Sequence, residues 1–319
     1  MKTHFQILTI SILFILLSCV SKSKIDPGNY NEKIDGISIN YTIAGKGPIM
    51  IVGHPNSGKI GYELTLKPLE DKFTMVYYDS RGTGNSKAPK KLDDYNSDKL
   101  TNEIDLLRRK LGVSKIWLLG HSDQSAIALQ YAVEHPQNVS GLILTGTSFI
   151  GDMDETIKRR KDSENKRKNE SAWFLQVVED WEYMYVNKTD KDKNGRNLSD
   201  APAKWWTYDE ETFAKVKPII KRIAEAGRRK PVDGESYFET QQQREKYLDI
   251  QKKFKTLQTK VLIINGKFDT NNPPAFAEEL QKNLPNSKLI LIDKAGHFPW
   301  VEQPENTFEE INKWLNKQL

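Results

Sequence analysis

The sequence predicts an α/β fold, a mostly parallel twisted sheet with a helical cap inserted between two core strands. Three observations predict it. Short β-type runs alternate with helix-length segments, the pattern of a layered α/β domain. Most of those runs are continuously apolar, as strands covered on both faces must be. One long central stretch then switches to helical periodicity before the strand pattern resumes. The chain has 319 residues, 37% hydrophobic, with 7 Trp, 12 Tyr and 12 Phe. That is enough apolar material for one large core and unlike a disordered chain.

In chain order, residues 1–18 read as a processing signal. Lys2 precedes the apolar run Ile7–Leu17, which is too short to span a bilayer, a task that takes about 20 apolar residues. Leu16-Leu17-Ser18-Cys19 resembles the lipobox of bacterial lipoproteins, and Cys19 is the only cysteine. The resemblance implies cleavage before Cys19, acylation of that residue, and a lipid-anchored protein of the bacterial cell envelope. Residues 19–30, with Ser, Lys, Pro and Gly, are expected to be a tether.

The first part of the core is expected over residues 31–147. Its strand candidates are Ile37–Ile43, Ile49–Val52, Thr74–Tyr78, Ile116–Leu119 and Leu142–Thr145. The cap is expected over 148–257, which carries many charges, the aromatic residues Trp173, Phe174, Trp181, Trp205 and Trp206, and a polar loop over 187–197. The second part of the core, 258–319, holds the strand candidates Val261–Asn265 and Lys288–Ile292. The formal charge is only +5, so no nucleic-acid partner is expected. Lys158 to Lys168 carries seven Lys or Arg against Asp162 and Glu164, for which a solvated helix face suffices.

The chemistry is read from three loops. Trp117-Leu-Leu-Gly-His-Ser122-Asp123 follows a strand and precedes the helical segment Gln124–Glu134, the setting of a nucleophile elbow. Ser122 is the candidate nucleophile, and the N–H of Asp123, at the helix start, is a candidate oxyanion donor. Val261–Asp269 is a strand followed by a loop carboxylate, and Leu289–His297 a strand followed by a loop histidine. All three residues fall at the carboxyl ends of predicted parallel strands, where an open α/β sheet gathers its site. His297 is then the base and Asp269 the carboxylate behind it. Gln124 stands where the Gly-x-Ser-x-Gly motif has its last glycine. In Gly53-His-Pro-Asn-Ser-Gly58, Pro55 has no N–H to donate, which leaves Asn56 as the second candidate oxyanion donor.

From about Ile34 to Leu315 these features resemble the α/β-hydrolase superfamily. Asp79-Ser-Arg-Gly-Thr-Gly-Asn-Ser86 is similar to a loop of its proline iminopeptidase-like branch, and Ala295-Gly-His-Phe-Pro-Trp-Val-Glu-Gln-Pro304 to its C-terminal segment. The resemblance implies a helical cap and a small ester, amide or short peptide as substrate. It also implies acidic cap residues that meet a substrate amine, a part that Trp181-Glu182 could fill. A brace for the site is the simpler role for the 79–86 loop. No cofactor is implied, and no zinc or phosphate-loop motif is seen. The alternatives to a hydrolase are a catalytically weak ligand-binding or sensing lipoprotein, which Gln124 and Pro55 favour, and a structural envelope lipoprotein.

Overall fold

A computed structural model describes residues 25–148, 153–227 and 241–318. The expected signal and Cys19 lie outside the described residues. Eight strands form one sheet: β1 (Gly28–Ile34), β2 (Ile37–Gly45), β3 (Ile49–His54), β4 (Thr74–Asp79), β5 (Ile116–His121), β6 (Val139–Thr145), β7 (Val261–Gly266) and β8 (Ser287–Ile292). Their order is β1-β2-β4-β3-β5-β6-β7-β8. The pairings β1–β2 and β2–β4 are antiparallel, and every other pair is parallel.

All seven expected strands are present. β1 is additional and begins at Gly28, within the stretch expected to be a tether. Its sequence, Gly-Asn-Tyr-Asn-Glu-Lys-Ile, has no apolar run because it is an edge strand with one face against the core. It turns into β2 through Asp35 and Gly36, both at positive φ (+47° and +78°), with Ile34 paired to Ile37. Two residues at positive φ are what a two-residue hairpin of right-twisted strands demands.

Eleven helices are described: α1 (Ile60–Thr65), α2 (Ser97–Lys110), α3 (Asp123–Glu134), α4 (Met153–Glu170), α5 (Ala172–Asn187), α6 (Ala201–Lys204), α7 (Glu210–Ala226), α8 (Gln241–Lys252), α9 (Pro274–Asn283), α10 (Pro299–Glu302) and α11 (Pro304–Leu315). The sheet separates two apolar layers, and alternate strand residues enter each. Ile49 and Ile51 of β3 and Val261 and Ile263 of β7 join one layer. Met50, Val52, Leu262 and Ile264 join the other, with Trp300, Ile311 and Trp314 of α10 and α11. Each such fully buried aliphatic side chain contributes roughly 1.5–3 kcal/mol.

Between β6 and β7 the chain is helical. α4–α7 stand over the carboxyl ends of the strands around a small cluster of Phe174, Val177, Val178 and Trp205. α8 packs differently: Tyr247 and Ile250 are buried in the first core layer. The stretch expected as one cap over 148–257 is thus two units by packing, and α8 belongs with the core. The basic run on α4 is also not uniformly solvated. Lys158, Lys161 and Lys166 are exposed, but Arg167 is buried and Arg160 half-buried.

Candidate active site

Ser122 sits between β5 and α3 with φ +52° and ψ −128°. A non-glycine residue rarely occupies that region, and holding it there costs about 1–3 kcal/mol. The turn is pinned on both sides. Its N–H donates to the Thr145 carbonyl at 3.1 Å, and the Ser125 N–H and hydroxyl donate to its carbonyl at 2.9 and 2.6 Å. Gly120 lets helix and strand meet, since a Cβ there would lie 2.8 Å from the Ser125 Cα. Gln124 does not obstruct this approach. Its side chain is buried, with Nε2 at 3.5 Å from the Tyr78 hydroxyl and Oε1 without a protein partner.

Asp269 and His297 come together as expected. Asp269 is fully buried, and its Oδ1 accepts from the Asn272 N–H at 2.8 Å. Its Oδ2 lies 2.8 Å from His297 Nδ1. With the carboxylate as acceptor, Nδ1 carries the proton and Nε2 is left as the basic nitrogen. Ser122, Asp123 and His297 all line one cavity of about 330 Å³.

The loop of His297 is held from several directions. Its main-chain N–H donates to the Trp206 carbonyl at 2.7 Å. The buried Glu302 carboxylate accepts from the N–H groups of Gly296 (2.9 Å), Phe298 (3.0 Å) and Tyr208 (2.9 Å). Burial raises the Glu302 pKa, against the lowering effect of those three bonds. Arg167 donates to the Thr270 hydroxyl at 2.8 Å and to the Thr207 and Tyr208 carbonyls at 2.9 Å, with its guanidinium 3.7 Å from the Phe174 ring centre. The cap segment 206–208 is therefore fastened to the loops of both Asp269 and His297.

His121, next to Ser122, faces away from it. Its Nε2 meets the His297 carbonyl at 3.0 Å and its Nδ1 the Tyr62 hydroxyl at 3.0 Å. A carbonyl only accepts, so Nε2 bears the proton and Tyr62 donates to Nδ1. Burial holds His121 neutral, its pKa pushed well below the ordinary imidazole range, with His297 and His54 adding to the shift.

The loop after β3 departs from expectation. The Asn56 N–H, the second candidate oxyanion donor, donates to His54 Nδ1 at 3.1 Å and is engaged within its own loop. The side-chain amide of Asn56 donates to Asp123 Oδ2 at 2.9 Å instead. Burial lowers the His54 pKa to about 4, and the Asp123 charge only partly opposes this. Asp123 places its own N–H at the first position of α3, where no intrahelical acceptor exists.

Two other segments fall outside the cavity. In the 79–86 loop, Asp79 accepts from the N–H groups of Lys59 and Asn85 at 2.9 Å, and Arg81 is buried against Glu103 at 3.0 Å. Those contacts brace the loop. Glu182 is on the exposed face of α5 and does not line the cavity, and Trp181 packs on Trp205 with ring centres 5.2 Å apart. Val216, Ile219, Ile220 and Ile223 of α7 line the same cavity as Ser122, together with Trp206, Phe298 and Trp300. Their i, i+3, i+4, i+7 spacing was a readable signal of one apolar helix face. Arg160, Tyr62 and Glu302 carried no comparable signal.

Comparison with known proteins identifies the fold family. A family model described as alpha/beta hydrolase fold matches residues 49–304. A proline iminopeptidase of Clostridium botulinum is 29% identical over 280 residues, which is 84% of this chain and 89% of that protein. One from Clostridioides difficile is 26% identical over 278 residues, 85% of this chain and 90% of that protein. Among solved structures, a thermophilic esterase from Thermogutta terrifontis superposes with a TM-score of 0.65 at 21% identity, covering 91% of this chain and 99% of that one.

Proposed function

The chain belongs to the α/β-hydrolase fold family, and on that footing we propose that it is a serine hydrolase opening small esters or amides through an acyl-enzyme on Ser122. One observation carries this reading: a serine on a strained turn and a histidine held by a buried carboxylate open into the same apolar-walled cavity. The Ser122 oxygen attacks the substrate carbonyl carbon while its proton passes to His297 Nε2. The Asp123 N–H steadies the oxyanion, and Asp269 the imidazolium. His297 returns the proton to the departing alcohol or amine as the carbonyl re-forms. Water then repeats the sequence and releases the acid.

The aliphatic wall of α7 favours an apolar acyl group. An aminopeptidase version draws on the similarity to proline iminopeptidases, and Asp123 is the carboxylate lining the cavity that a free amine would meet. A panel of p-nitrophenyl esters beside proline and alanine p-nitroanilides, with Ser122→Ala as control, tests both. Cleavage of esters alone discards the aminopeptidase. Failure of a fluorophosphonate to label Ser122 discards the hydrolase in favour of a ligand-binding or sensing protein.

The lipobox-like start leads us to place the protein at the bacterial cell envelope, held by lipid on Cys19. Among the described residues no helix is long and apolar enough to cross a membrane. Metabolic labelling with a radioactive fatty acid should mark the full chain and not Cys19→Ser. Labelling of both, or of neither, rejects the anchor.

A further inference from the structure

The cap also brings a charge into the cavity. Among the described residues lining it, Arg160 of α4 is the one Lys or Arg and Asp123 the one carboxylate. Arg160 Nε donates to the Asn271 carbonyl at 2.6 Å and Nη2 to the Asn272 side-chain oxygen at 3.3 Å. Both acceptors are neutral, and a guanidinium has five N–H donors. The nearby anions are already supplied with partners. Asp123 accepts from Asn56 at 2.9 Å and Ser148 at 3.1 Å, and Asp269 from Asn272 and His297 at 2.8 Å each.

Burial lowers the Arg160 pKa in spite of the opposing charges of Asp123 and Asp269. Its own hydrogen bonds nevertheless go only to neutral oxygens, and none of its N–H groups donates directly to either carboxylate. Elsewhere in this protein a buried arginine with a framework role meets carboxylates directly, as Arg81 does with Glu103 at 3.0 Å and Asp35 at 3.2 Å. Arg167 lacks such a partner, but it has three oxygens and an aromatic face and lies outside this cavity.

We propose that Arg160 receives a carboxylate on the substrate, so that the compounds opened at Ser122 are acidic at one end and apolar along the acyl chain. A planar fork with free N–H groups in a desolvated pocket suits a carboxylate, and such charge-assisted bonds are about twice as strong as neutral ones. The aliphatic face of α7 takes the remaining carbon chain. This rests on the serine-hydrolase reading of the same cavity.

The test compares mono-p-nitrophenyl glutarate with p-nitrophenyl pentanoate, which differ in a terminal carboxylate for a methyl. Wild type is expected to favour the glutarate by about tenfold or more in kcat/KM. Arg160→Gln should bring that ratio near one, with Arg160→Lys in between. If Arg160 only docks the cap on the 271–272 loop, both esters fall together and the ratio stays, which overturns the proposal. A wild-type preference for the pentanoate also overturns it, while leaving the hydrolase intact. If neither ester is opened and a fluorophosphonate leaves Ser122 unlabelled, the hydrolase reading fails. Calorimetric titration of Ser122→Ala, with and without Arg160→Gln, by monomethyl glutarate and methyl pentanoate then decides the Arg160 question by the same ratio in Kd.

Discussion

The main-chain N–H of His297 donates to the carbonyl of Trp206 at 2.7 Å, so the histidine at the centre of the site is tied to the cap as well as to the core. Gly296 permits that approach, since a Cβ there would lie 2.2 Å from the same carbonyl oxygen. Glu302 closes the arrangement by binding main-chain N–H groups from both sides of it. Cap and base are in this way one mechanical unit.

Glu302→Gln replaces one carboxylate oxygen by an amide that faces main-chain N–H groups. It should cost about 1–3 kcal/mol of stability and lower kcat about tenfold or more, because small misplacements of a reacting group are expensive. KM should change much less. A melting curve together with Michaelis parameters checks this positioning role. A loss of stability with kcat untouched in the folded protein would mark Glu302 as framework only.

Ser122→Gly should abolish turnover and raise stability by about 1 kcal/mol, because glycine relieves the strain of φ +52°. Ser122→Ala should abolish turnover without that gain. Urea unfolding of the three proteins separates the effects.

Acid should destabilise the protein in a definite window. His54, lowered to about 4, and His121, lowered well below the ordinary imidazole range, stay neutral in the fold but bind protons when unfolded. Below the unfolded value near 6.5 the unfolded chain takes up protons that the folded chain refuses, so stability rises with pH between about 4 and 6.5. Each histidine contributes a slope of about 1.4 kcal/mol per pH unit. Unfolding midpoints at pH 7.5, 6 and 5 measure the slope, and His54→Asn should reduce it.

Ile220→Trp should fill part of the cavity from the α7 side. The preferred acyl chain should then shorten by several carbons, while kcat for acetate esters stays within about threefold, since this wall is distant in chain and role from the proton relay. Rates across p-nitrophenyl acetate, butyrate and octanoate give the profile.

The parts of the fold that were legible in the sequence are those dictated by burial on two faces. β3, β4, β5 and β7 are continuous apolar runs because both sides of the sheet are covered. Residues at the ends of such strands, Ser122, Asp269 and His297, could be placed by the same logic. β1 was not legible, since an edge strand with a solvated face needs no apolar run, although Asp35-Gly36 was a usable hairpin signal. α8 could not be assigned to the core because periodicity shows that a face is apolar and not what covers it. The fate of the Asn56 N–H depended on the ring of His54, two residues earlier. Arg160 and Arg167 looked like members of a solvated run, and only the facing of α4 turns them inward.

The aliphatic stripe of α7 and the strand-end residues of the same cavity are encoded in separate segments, joined only where both line it. A lineage carrying this architecture can re-cut one side of its cleft by single aliphatic exchanges and leave the reactive side untouched. Diversification of what is consumed then needs no new chemistry, and relatives with an unchanged serine, acid and imidazole can differ widely in diet.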